Sequence, residues 1–76
     1  MPLSMARPGE RVKIVEIRGG RGLAGKLACM SFYPGVEIEV ISNRPGPLII
    51  SREGGGGARL GIGHGMARRI LVAPIA

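Results

Sequence analysis

Glycine and proline set the limits on what this chain can become. Fourteen glycines and six prolines in 76 residues cut it into short pieces between turn residues. That rhythm suits strands and excludes long helices. "RVKIVEI" (Arg11–Ile17) is rich in β-branched residues and is the first strand expected. In residues 35–42, "GVEIEVIS", Val36, Ile38 and Val40 alternate with Glu37 and Glu39, so one face is apolar and the other charged. Residues 47–52, 58–63 and 68–73 read as three further strands, and the glycines at 54–57 read as a hairpin tip that takes up positive φ at little cost. One stretch has a helical period. In residues 23–30, "LAGKLACM", Leu23, Leu27 and Met30 fall on one face, and Pro34-Gly35 stop the helix and turn the chain. The expected fold is a small, closed all-β barrel of about five strands, with one short helix after the first strand, forming a single domain over residues 1–76.

A lone cysteine, Cys29, rules out an internal disulfide and suits a reducing compartment. The opening "MPLSMARPGERVK" has no basic start followed by an apolar core, and no apolar run approaches the roughly 20 residues of a membrane span. A cytoplasmic, soluble protein that meets a membrane only through a partner is expected. Eleven basic residues oppose five acidic ones, for a net charge of +6, and nine of the eleven are arginines. Such a surface favours an anionic partner, whether nucleic acid, lipid headgroups or an acidic protein face.

The motifs that promise chemistry each lack a part. Gly20, Gly25 and Lys26 have the spacing of a phosphate-binding loop, but Leu27 stands where Ser or Thr must hold magnesium. "GIGHGM" (residues 61–66) is followed by no long helix and no distal acid, so its glycines are expected to bend a strand into the last turn. His64 and Cys29 are the only candidates for a soft metal, one of each, where a structural zinc needs four ligands and a catalytic one three. There is no Asp, and the five Glu are dispersed. Cys29, in the last turn of the expected helix, is expected to pack as a small hydrophobe rather than act as a nucleophile. The reading is no enzyme, no cofactor and no metal held by the chain alone. With Phe32 expected in the core, nucleic-acid binding has charge without a stacking platform.

Four stretches in order carry a resemblance: "PGERVKIVEIRGG", "KLACMSFYPGVEIEVI", "RPGPLIIS" and "LGIGHGMARRILV". The second contains L-x-x-M-G-Φ-x-P-G through Leu27, Met30, Phe32, Pro34 and Gly35, with Ser31 in place of its usual glycine. The last contains G-x-x-x-A-x-x-I-x-V through Gly63, Ala67, Ile70 and Val72. Over roughly residues 3–73 the chain resembles the FeoA family, small cytosolic proteins of ferrous iron transport. The resemblance implies an SH3-like barrel and a non-catalytic adaptor that docks on the cytosolic region of FeoB, the membrane ferrous iron transporter. It also carries the family label of iron transport and transition-metal binding, for which this chain has no ligand set of its own. Leu27, Met30, Phe32, Pro34, Gly35, Ala67, Ile70 and Val72 are then expected to be structural. The docking residues are expected at the first loop and helix, as Arg18, Arg21, Leu23 and Lys26, with Leu23 an exposed apolar anchor ringed by cations. The alternative is a basic SH3-like nucleic-acid-binding module, or a stand-alone equivalent of the C-terminal domain of metal-dependent repressors.

Overall fold

Aliphatic residues at every second position build five antiparallel strands around one core. They are β1 (Arg11–Ile17), β2 (Glu37–Ser42), β3 (Leu48–Arg52), β4 (Arg59–Ile62) and β5 (Ile70–Pro74). The structure, a computed structural model, describes residues 1–52 and 59–75. The hairpin tip expected at 54–57 lies outside them. Val12 and Ile14 of β1, Ile38 and Val40 of β2, Leu48 and Ile50 of β3 and Ile70 and Val72 of β5 are all buried. On the outer face of β1 and β2 the register sets Arg11 opposite Glu39 and Lys13 opposite Glu37. Opposite charges facing across a ladder favour that register over a slipped one.

The strand order is β4-β3-β2-β1-β5. Among the described residues no ladder joins β4 to β5, so the SH3-like sheet is not the closed barrel expected. The free edge of β5 is occupied instead by the start of the chain. Pro2 bridges Leu71, the Val72 N–H donates to the Met1 carbonyl at 2.7 Å, and the Met1 amino group donates to the Val72 carbonyl at 2.8 Å. A 3-10 turn at Leu3–Met5 then buries Leu3 completely. Asn43 holds that turn down, its side-chain N–H donating to the carbonyls of Ser4 at 3.2 Å and Ala6 at 2.6 Å.

The helix, α1, spans Gly20–Cys29 and so begins three residues before the apolar period does. Its end is specified atom by atom. Ser31 sits at φ 69°, the Ser31 N–H donates to the Ala28 carbonyl at 3.0 Å, and the Phe32 N–H donates to the Leu27 carbonyl at 2.9 Å. These are the two bonds of a Schellman motif, and the buried Leu27 and Phe32 supply its apolar closure. Gly35 at φ 98°, with the Val36 N–H donating to the Tyr33 carbonyl at 3.1 Å, makes Tyr33-Pro34-Gly35-Val36 a type II turn. Its Gly35 N–H donates to the Ile14 carbonyl at 2.8 Å, which fastens the turn to β1. "LACMSFYPGV" is thus a helix stop, a turn and a strand start in ten residues.

Three expectations are corrected here. Met30, assigned to the core with Leu27, is 40% exposed, because it is the C-cap residue and the chain has already left the helical path that would turn it inward. Cys29 is exposed rather than packed, on the side of α1 away from Leu27. Residues 61–66 do not bend a strand. They end β4 and open a second helix, α2 (His64–Ala67), with Ala67 fully buried against the core.

Candidate docking face

Helix α1 buries one of its ten residues, Leu27. The rest of its inner side forms one wall of a shallow apolar groove of about 250 Å³. Leu23 and Leu27 line it from α1, Met30 from the helix C-cap, Leu60 and Ile62 from β4, and Met66 from α2. Met30 and Met66 are each 40% exposed, so two thioethers lie open to solvent in the same groove. Among the described residues, Lys26 is the only charged one in the lining. Gly61 also borders it, in the strand at the edge of the sheet.

The expected docking residues are distributed differently from one another. Leu23 is half-buried and packed against the core, not exposed at the centre of a cationic ring. Lys26 stands at the groove. Arg21 lies two residues before Leu23, and at roughly 100° per residue that places it on the far side of α1. Arg18 is outside the helix, its guanidinium 2.9 Å from the Glu16 carboxylate, both groups well exposed. Its backbone N–H donates to the Arg69 carbonyl at 2.6 Å, which ties the end of β1 to the start of β5.

Arg69 is the cation the sequence reading missed. A Cβ on Gly19 (φ 131°) would lie 3.1 Å from Leu23 Cδ2 and 3.2 Å from Arg69 Cδ. The glycine therefore admits both side chains to one spot, and Arg69 lies beside Leu23. The signal was the glycine before the helix, but its partner fifty residues away is set by the fold alone. Met66 and Leu60 were likewise unpredictable as neighbours of α1.

The metal candidates remain apart from any ligand set. His64 Nε2 donates to the Gly46 carbonyl at 3.0 Å, while Cys29 is exposed at the end of α1. Among the described residues, no three His, Cys, Asp or Glu side chains gather where a metal could be held. Among the same residues, no helix is long and apolar enough to cross a membrane.

Comparison with known proteins places the chain. The FeoA domain model matches residues 1–74. The chain belongs to the FeoA domain family. It is 38% identical over 71 residues to a Methanocaldococcus jannaschii protein that carries the name Fe(2+) transport protein A, covering 93% of this chain and 83% of that one. It superimposes on the crystal structure of an iron uptake regulatory protein, FeoA, with TM-score 0.85 at 40% identity, over 99% of this chain and 96% of the other. The Stenotrophomonas maltophilia FeoA, solved with zinc and described as a prokaryotic SH3 domain protein, shares the fold at 24% identity and TM-score 0.68, over 96% and 89% of the two chains. The same fold makes up 34% of the T. acidophilum IdeR chain, which matches 99% of this chain at 18% identity and TM-score 0.83. That last likeness concerns the fold alone.

Proposed function

We propose that this protein is a non-catalytic, cytoplasmic accessory protein of ferrous iron transport that docks on the cytosolic region of a FeoB-type membrane transporter. The observation that carries the reading is that the helix face of this FeoA-family chain, α1, has cations and no acidic residue and fully buries one side chain, Leu27. Loops and lightly anchored elements on a rigid sheet are where recognition residues are found, since the strands are committed to packing. Iron in this reading is the cargo of the transporter, and the adaptor acts by contact.

The test is association with the purified cytosolic region of the transporter. Arg21→Glu with Lys26→Glu should slow association at low salt and leave the melting temperature unchanged, because exposed charges steer encounter more than they hold the fold. Association by the double variant at the wild-type rate would remove α1 from the docking surface.

A second reading, nucleic-acid binding, is favoured by the net charge of +6. Phe32 is buried, which leaves Tyr33, 45% exposed, as the one aromatic ring a base could stack on. A salt titration on duplex DNA separates the readings, because phosphate contacts give a log–log slope of about −0.9 each. No retention at low salt dismisses this reading.

A further inference from the structure

Among the described residues, the surface around the groove is electrostatically one-sided. The described acidic residues, Glu10, Glu16, Glu37 and Glu39, lie in β1, β2 or the turn before β1. The elements that build the groove, α1, β4 and α2, contain none. They carry or adjoin Lys26, Arg59, Arg68 and Arg69, all exposed. An apolar groove with two open methionines, and with cations but no acid on the described elements that build it, has a defined complement.

Its shape narrows the class of ligand. At about 250 Å³ it falls below the roughly 300–1,000 Å³ of small-molecule sites, and Lys26 is its only charged orienting group among the described residues. A metabolite would find little to fix it. A bilayer needs apolar side chains that protrude into it, whereas these line a concavity. What fits a small apolar hollow is a side chain offered by another protein, and methionines are suited to mould around it.

We infer that the groove between α1, β4 and α2 captures a short acidic segment of a partner protein, with one or two large aliphatic side chains inserted between Met30 and Met66 and carboxylates set on Lys26 and Arg69. The inference rests on the reading that this protein works by docking, and it adds the chemistry of what is docked. Leu23 and Leu60, both partly buried against the core, form the floor. Arg69 stands beside Leu23, in the space that Gly19 leaves open, and is the nearby cation outside the lining.

The experiment has two arms. In the first, amide shifts are mapped by NMR while wild-type protein is titrated with a short synthetic glutamate-rich peptide bearing two leucines, and with its twin carrying serines instead. Shifts should concentrate at residues 23–30 and 60–66. Replacing the leucines should weaken binding by roughly tenfold or more, as loss of a buried anchor does. Met30→Gln with Met66→Gln, which keeps side-chain length at two exposed positions, should produce a comparable loss with the leucine peptide and none with the serine twin. Shifts scattered over the basic surface, or equal affinity for both peptides, would overturn the inference. So would groove-dependent binding of phosphatidylglycerol–phosphatidylcholine vesicles without peptide binding.

In the second arm the same variants meet the transporter's cytosolic region. If wild type binds it and the double methionine variant binds equally well, the groove is not the site and docking elsewhere stands. If wild type fails to bind it but the first arm maps to the groove, the transporter is the wrong partner and the groove reading stands.

Discussion

The sheet and the helix of this protein are built to different standards. β1 and β2 alternate with little error, bury Val12, Ile14, Ile38 and Val40 almost completely, and carry matched charges on their outer face. Helix α1 has three glycines among its ten residues, no capping side chain, no acid in its first turn and one buried residue. Each interior glycine costs about 1 kcal/mol of helix stability relative to alanine. What holds α1 most firmly is its C-terminal end, where Leu27, the Schellman bonds and Phe32 join it to the core, while Leu23 packs against the core only in part. A helix anchored at one end can adjust along the other, and low local stability is where binding elements tend to be found. The contrast explains how a small domain can keep a fixed body and present an adaptable face.

The largest test removes one anchor from each region. Ile38→Ala, surrounded on all sides by sheet and core, should cost about 3–5 kcal/mol, whereas Leu27→Ala should cost about 2–3, because the neighbours of a groove can settle into the space. Urea melts measure both. Equal losses would mean that α1 is as integrated as β2, and the comparison would break.

Asn43→Ala comes next, at about 1–3 kcal/mol, because it leaves the Ala6 carbonyl without its donor in a buried place. Hydrogen exchange should then quicken at Leu3–Met5 and β5 while α1 is unaffected. Acceleration of α1 instead would show that the two regions share one cooperative unit.

Substitutions in the helix should have the opposite sign. Gly22 and Gly25 have open space where a Cβ would stand, so Gly22→Ala and Gly25→Ala should each stabilise by about 0.5–1 kcal/mol. A loss at either position would reveal a backbone need that the helix does not show. The smallest change expected is at Ser31, where φ 69° is a conformation glycine adopts freely. Ser31→Gly should gain about 0.5 kcal/mol, the relief of left-handed strain less the added freedom of the unfolded chain. Thermal melts of these variants sharpen the comparison by measuring how far α1 sits from its optimum.

The legibility of the sequence followed the range of the forces involved. All five strands were readable, with boundaries within two residues, since period-two alternation and turn residues act over a few positions. The departure at Ser31 was visible as a residue other than the usual glycine, and the structure shows that the position keeps the positive φ of a helix stop. Helix α1 was shortened in the reading because Gly20-Arg21-Gly22 has no apolar period and looks like a loop. Helix α2 was missed because four residues with two turn-like neighbours carry too weak a period to register. The groove was out of reach for a further reason: its two walls come from segments at least thirty positions apart.

The residues by themselves determined the strands, the Pro-Gly turn, the helix stop and the sign of the surface charge, because each depends on neighbours along the chain. They also carried the family pattern. Tertiary structure alone decided that Met30 faces solvent beside Met66, that the chain's start rather than β4 covers the edge of β5, and that Arg69 stands against Leu23. Those outcomes depend on which surfaces meet when the sheet coils, and burial is shared among elements that no local rule brings together.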